Sequence, residues 1–284
     1  MKTVAFLHRN DTRFAVGDFS PVLSVFSHYE LGNTVSPFLL LDHIGPGKLQ
    51  PSSRRKGVNA HPHRGFETVT LVFAGEIEHR DSSGGGGIIS AGDVQWMTAA
   101  RGIVHQEFFS EAFTQQGGRF EMIQLWVNLP AKDKMQPARY QSLSYQDIPV
   151  ITLANAGGNV RVIAGQLQDQ TGPAKTHTPI NVFDADLNAG HHFSFDAPAG
   201  HTALIFLRSG RLQLADNEVL EEEGMAVMSS RETNIEVHAL ENSQFIVLTG
   251  EPIQEPINAH GPFIMNSHDE IVQAYEDFKN GQFS

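Results

Sequence analysis

The chain contains no cysteine. That absence removes disulfides, thiolate metal ligands and cysteine nucleophiles together. Long apolar runs are also missing. No stretch approaches the roughly 18 residues that a membrane-spanning helix needs, and residues 1–10, which include Lys2, His8 and Arg9, hold no apolar run of signal-peptide length. The cytoplasm is the expected location, with no membrane association. Positive charge is scarce: 20 Lys and Arg stand against 32 Asp and Glu, a formal net charge of −12. A binder of phosphate backbones normally shows a basic stripe. The nearest approach, Arg54-Arg55-Lys56, reads as a solvated loop, so direct nucleic-acid binding is not expected. The glycine run in residues 82–87 (SSGGGG) is followed by no Lys-Ser/Thr pair and no helix signal. It reads as a hairpin connection and not as a phosphate loop.

What remains is a soluble globular composition. The 284 residues are 40% hydrophobic and 18% charged, enough to bury a core in one large or two ordinary domains. The 26 Gly and 14 Pro fit many turns between short strands, and the 14 His are the natural candidates for metal ligation once cysteine is gone.

Strand patterns dominate from Phe38 to Asn128. Residues 68–73 (TVTLVF) form a β-branched and aromatic run, Gly75 breaks it, and Glu76 to His79 alternates. Ile88-Ile89 resumes the sheet and Val94 to Thr98 follows the turn at Gly92-Asp93. From Arg119 to Asn128, alternation places Phe120, Met122, Gln124, Trp126 and Asn128 on one face. Residues 131–147 are polar and contain Pro137, which reads as a linker. Beyond it, Ala203 to Leu207, Gly210 and Arg211 to Leu214 repeat the plan of apolar strand, glycine, alternating strand. Gly75 and Gly210 lie 135 positions apart, which predicts a duplicated all-β unit. The expected division is residues 1–135 and 136–284. One helix is signalled near the C-terminus, where Ser267-His268-Asp269-Glu270 has the form of a capping box. Ile271, Ala274, Tyr275 and Phe278 follow at helical spacing.

The chemistry is concentrated in two short pairs, His61-Pro62-His63 and His105-Gln106-Glu107. Side chains two apart on a strand point the same way. Two such pairs on neighbouring strands can converge on one ion at metal–ligand distances of about 2.0–2.2 Å. Three imidazoles and a carboxylate suit Fe(II), Mn(II), Co(II), Ni(II), Cu(II) or Zn(II). Glu67 offers a second carboxylate, since residues 61–67 also read HxHxxxE. It shares a face with the histidines only if the strand runs regularly across Gly65, so Glu67 and Glu107 both stand as candidates on spacing alone. Applying the repeat to the second half sets Asp196, Pro198, Val237 and Ala239 at the positions of His61, His63, His105 and Glu107. That set holds no transition metal. His191, His192, His201 and His238 lack the paired pattern and read as surface or hydrogen-bonded residues.

The stretch from His61 to Glu107 (HPHRGFETVT…GEIEHRDS…GDVQWMTAARGIVHQE) resembles the pirin family of the cupin superfamily. The resemblance continues through residues 125–140 (LWVNLP…QPARY) and returns in residues 250–275 (GEPIQEPI…GPFIMN…EIVQAY). It implies a bicupin: an all-β chain of two tandem cupin barrels of the jelly-roll (double-stranded β-helix) type, with a short C-terminal helix. It implies a metal held by His61, His63, His105 and Glu107, Fe(II) first among the candidates, and leaves Glu67 to orient an imidazole from behind. Several members are described as quercetin 2,3-dioxygenases, which open a flavonol ring with dioxygen and release carbon monoxide. The resemblance thus implies a flavonol-like substrate and dioxygen, with Glu107 as base, and Phe66, Trp96 and Met97 as candidates to pack on the substrate rings. The alternative it carries is a non-enzymatic, metal-dependent regulator whose partner is a protein, a transcription factor or a metabolic enzyme.

Overall fold

Alternating side chains along residues 118–128 become the strand Gly118–Asn128, central to a seven-stranded antiparallel sheet in the computed structural model, which describes residues 1–283. The sheet runs in the order Arg139–Leu143, Val94–Thr98, Phe66–Ala74, Gly118–Asn128, Phe38–Leu49, Phe19–Ser27, Arg13–Val16. Facing it is a four-stranded sheet ordered Gly57–His63, Ile103–Phe109, Glu76–Asp81, Gly86–Ser90. Phe120 and Met122 from one sheet meet Ile77, Ile89 and Phe109 from the other in a buried cluster. Of the two faces that alternation separates in Arg119–Asn128, the one carrying Phe120 and Met122 therefore packs inward.

The second unit repeats this plan strand for strand. Its seven-stranded sheet is ordered Val4–His8, Met225–Met228, Thr202–Ser209, Ser243–Gly250, Ile180–Leu187, Gly158–Ala164, Val150–Leu153. Its four-stranded sheet is ordered His192–Asp196, Asn234–Ala239, Arg211–Gln213, Val219–Glu221. Gly75 and Gly210 occupy the same place in the two units, between a seven-sheet strand and a four-sheet strand. Both have positive φ, +83° and +91°, which a residue with a β-carbon adopts only with strain. The two-barrel, all-β architecture is thus the one the repeat pointed to.

The boundary differs from a cut at residue 135. One unit comprises residues 11–27, 38–145 and 253–284; the other comprises 1–10, 28–37 and 146–252. The N-terminal strand Val4–His8 pairs with Met225–Met228 and so belongs to the second unit. The predicted linker contains a real strand, Arg139–Leu143, paired with Val94–Thr98. The C-terminal helix does not close the second barrel. It spans His268–Lys279, starts at the expected capping box of Ser267 and Glu270, and packs Ile271 and Ala274 against Phe263, Met265, Phe283 and Val104 of the first unit.

Polar contacts tie this C-terminal segment to the strand that ends at His63. Arg64 is buried; its Nη1 donates to Asp277 Oδ2 at 2.8 Å and its Nε to the Arg101 carbonyl at 2.6 Å. Lys134, 1% exposed, donates from Nζ to the carbonyls of Gly65 (2.7 Å) and Ile264 (3.1 Å) and to Asn128 Oδ1 (2.7 Å). Three acceptors meet the amine, although burial pushes its pKa down to about 7 against the opposing pull of Glu255 and Glu270. Lys134→Met would strand those acceptors, and is expected to lower the unfolding free energy by about 3 kcal/mol. Urea titration reads this; an unchanged midpoint would contradict it.

Candidate metal centre

The two strands that carry the predicted ligands are neighbours. Gly57–His63 pairs antiparallel with Ile103–Phe109, so that His61 stands opposite His105 and His63 opposite Ile103. The register shifts between His105 and Glu107, which meets Val58. The extra residue in the first strand is a bulge. There the Asn59 carbonyl lies 2.8 Å from His61 Nδ1.

The three imidazoles converge. Ring centroids are 4.2 Å apart for His61–His105, and 4.9 Å apart for both His61–His63 and His63–His105. One ligand atom from each lies within 4.8 Å of the others. Glu107 is outside that triple; it forms a second group of the same spacing with His105 and with His79. The structure therefore brings His61, His63 and His105 to one point and sets Glu107 beside His105.

Each of the three rings spends its Nδ1 on the protein. His61 Nδ1 has the Asn59 carbonyl, His63 Nδ1 has the Pro262 carbonyl at 3.4 Å, and His105 Nδ1 has His79 Nδ1 at 3.4 Å. Nε2 is left available on all three. His105 Nε2 is buried and has no hydrogen-bond partner among the described residues. An unpaired buried nitrogen is costly unless something takes its lone pair. Three imidazole nitrogens with an adjacent carboxylate and no thiolate suit a divalent first-row metal. The residues fit the ion the sequence pointed to.

Burial shapes the charges. It pushes His63 down to about 3, helped by His61 and opposed by the Pro262 carbonyl. Burial also holds His105 well below its ordinary value, with His63, His61 and His79 adding to the effect. Both rings are neutral at physiological pH, the state a ligand requires. Glu107 is oriented by Gln95, whose Nε2 donates to Glu107 Oε1 at 3.1 Å and to Thr70 Oγ1 at 3.0 Å. The Thr70 hydroxyl has one proton to give. Gln124 Oε1, at 2.7 Å, is nearer than Glu107 Oε1 at 3.5 Å and takes it.

Glu67 does not orient an imidazole. It pairs with Thr98, whose hydroxyl donates to its Oε1 at 2.6 Å. The next residues along the strand explain why: Phe66 and Thr70 face the site, so Glu67 takes the opposite face. Trp96 is placed likewise, being paired with Val69, whereas Gln95 and Met97 point inward opposite Thr70 and Thr68. Phe66 lies 5.1 Å from His63, as expected of a wall residue, but its aromatic neighbour is Trp126, 4.4 Å from Phe66 and 5.4 Å from His63. Trp126 carried a signal in the alternation of its strand. Gln95 is a lone amide in a mostly apolar strand, and His79 and Asp81, although two apart like the ligand pairs, lie among other polar residues in Glu76–Asp81 that hide them.

Asp81 is held with unusual care for a hairpin residue. Its Oδ1 accepts from Ser83 N (2.8 Å), Ser83 Oγ (2.7 Å) and Gly85 N (3.0 Å), and its Oδ2 lies 3.1 Å from His79 Nε2. Burial pushes the carboxyl up, but the hydrogen bonds from His79, Ser83 and Gly85 outweigh it and hold Asp81 below the usual carboxylate range. In the second unit the strands equivalent to those of the candidate ligands present Phe193, Phe195, Ile235, Val237 and Ala239 to a hydrophobic cluster. His192 and His238 face each other across the same strand pair, on the opposite side from Phe193 and Val237.

Comparison with known proteins matches both halves of the chain. The pirin family model covers residues 20–127, and the model of the pirin C-terminal cupin domain covers residues 182–284. A Pseudomonas aeruginosa protein named provisionally as a quercetin 2,3-dioxygenase is 50% identical over 283 residues, spanning 100% of this chain and 99% of its own. The crystal structure of a quercetin 2,3-dioxygenase from Acinetobacter baumannii superposes with a TM-score of 0.97 at 46% identity, covering 100% of this chain and 99% of that one. The Escherichia coli pirin YhhW, solved in complex with nickel(II), shares the fold at a TM-score of 0.66 and 20% identity, over 87% of this chain and 99% of that one.

The buried rings predict a pH effect with a definite sign. In the unfolded chain His63 takes a proton below pH of about 6.5, while in the folded protein it resists down to about 3. The unfolded state therefore binds more protons in this window, and His63 destabilises the fold progressively as pH falls through it. Glu67 and Asp42, raised by burial to about 7 and about 6, act in the opposite sense, so the effect is read as a difference. Relative to the unaltered metal-free protein, His63→Asn is expected to gain about 2 kcal/mol of stability between pH 7 and pH 5. Urea unfolding at the two pH values measures it, and a difference independent of pH would contradict it.

Proposed function

Because the chain belongs to the pirin family of bicupins, we propose that it is a metal-dependent dioxygenase that opens the ring of a flavonol such as quercetin. The observation that carries this reading is the convergence of His61, His63 and His105 with every Nδ1 occupied and His105 Nε2 buried without a partner. These three residues and Glu107 are the proposed ligands of one divalent ion, Fe(II) in this reading. The ion, when bound, supplies Lewis acidity toward the flavonol oxygens and an electronic link between the electron-rich flavonol and dioxygen. The names and folds of the relatives support the substrate class.

The chain's own residues do the rest. Gln95 fixes Glu107 through Oε1, which leaves Oε2 to serve in turn as ligand and as base toward the flavonol 3-hydroxyl. Phe66 and the half-buried Trp126 give an aromatic wall beside His63 against which planar rings can lie. The Tyr140 hydroxyl is buried and has no hydrogen-bond partner among the described residues, which suits a donor to a substrate oxygen. His63 and His105 are buried, whereas His61 is only half-buried and gives the site its opening.

Aerobic assay of the Fe(II)-loaded protein with quercetin is expected to show loss of flavonol absorbance and release of carbon monoxide. Glu107→Gln is expected to lower kcat by about 10²–10³-fold, with metal content measured in parallel to separate proton transfer from ligation. Absence of turnover with Fe, Mn, Co, Ni or Cu would contradict the proposal and favour a binding role for the metal-loaded protein.

A further inference from the structure

We propose that Asp81 and His79 form a directional hydrogen-bond chain that sets the tautomer and tilt of His105, making both of them positioning residues of the metal centre. The inference rests on the metal-binding reading above and extends it to residues that need not touch the ion.

The direction of the chain follows from its far end. Asp81 Oδ1 is filled by three donors from the hairpin, Ser83 N, Ser83 Oγ and Gly85 N. Its Oδ2 faces His79 Nε2 at 3.1 Å, and both side chains are 0% exposed. A carboxylate can only accept, so the His79 proton sits on Nε2. The chain requires that Nε2 carry the ring's one proton, which leaves a lone pair on Nδ1. That atom faces His105 Nδ1 at 3.4 Å, so His105 must donate, carrying its proton on Nδ1. Nε2 of His105 is thereby left as a bare lone pair, and it is the buried nitrogen without a partner. With the opposite order, His105 would carry its proton on Nε2 and could not ligate.

The surroundings hold the chain in place. Tyr140 stacks on the His79 ring at 5.0 Å and 20°. A β-carbon at Gly85 would lie 2.5 Å from Asp81 Oδ2 and 2.7 Å from Tyr140 Cβ. The glycine there is needed for the close approach of hairpin, carboxylate and tyrosine. The hairpin at residues 82–87 is thus the base of the hydrogen-bond chain, and through it orients a ligand on the neighbouring strand. His61 and His63 reach backbone carbonyls instead, and only His105 depends on side chains for its orientation.

The test has one arm without metal and one with Co(II). In metal-free protein labelled with ¹⁵N-histidine, long-range correlation NMR is expected to show His105 protonated on Nδ1 and His79 on Nε2; a His105 proton on Nε2 would overturn the chain. In Co(II) titrations against a competing chelator, His79→Leu is expected to bind about 10–100-fold more weakly, while His79→Asn, whose Oδ1 restores an acceptor, stays within about threefold of the unaltered protein. Equal affinity for all three would overturn the inference. So would two Co(II) per chain falling to one in His79→Leu, which would make His79 a ligand in its own right. No Co(II) uptake by the unaltered protein would overturn the metal reading instead, and the metal-free tautomers would still decide the chain. They also decide it if His79→Leu does not fold.

Discussion

The site depends on one pairing, the antiparallel alignment of Gly57–His63 with Ile103–Phe109 that sets His61 opposite His105. Side chains two apart on each strand then share a face, and the pairs His-Pro-His and His-Gln-Glu are carried to the same patch. A slip of one residue would turn the whole set to the other face. The bulge between His105 and Glu107 is part of the same arrangement. Three features guard the register: the bulge, the second partner strand Glu76–Asp81 on the other side of Ile103–Phe109, and the C-terminal segment bound to His63 and Arg64. The last of these explains why a helix far along the chain belongs to the first barrel.

Gathering three imidazoles and a carboxylate in a buried space is unfavourable in itself. Desolvation resists protonation of His63 and His105, and the rings repel a second charge among themselves. The protein answers by giving each ring an Nδ1 partner and by binding Glu107 to Gln95. What it leaves unanswered is His105 Nε2, buried with no hydrogen-bond partner among the described residues. The second barrel shows the other solution to the same backbone. Where the first has the proposed ligands it has Phe193, Phe195, Ile235 and Val237, and it keeps the fold with an apolar core. Duplication thus yields one unit that gathers buried imidazoles and a carboxylate and one that packs apolar side chains at the equivalent strands.

Much of this was legible from residue order. The period-two pairs singled out the candidate ligands, alternation separated the two faces of Gly118–Asn128, Ser267 and Glu270 marked the start of the helix, and the spacing of Gly75 and Gly210 marked the repeat. These are local patterns, and local patterns survive in a sequence. The exchange of terminal segments between units was not legible, because the pairing of Val4–His8 with Met225–Met228 joins distant ends of the chain with no periodic signature. Glu67 and Trp96 were misplaced for a different reason. Both lie in strands buried on both faces, where composition does not tell the inside of the barrel from the outside. His79 and Asp81 stayed hidden because their period-two spacing sits in the polar run Glu76–Asp81, where neighbouring charged residues mask it.

X-ray absorption at the metal edge decides whether these side chains share one ion. For the Fe(II)-loaded protein, nitrogen and oxygen are expected at about 2.0–2.2 Å, with more distant scattering from three imidazoles that falls to two in His63→Asn. A shell of oxygen alone, or three imidazoles persisting in that variant, would contradict it.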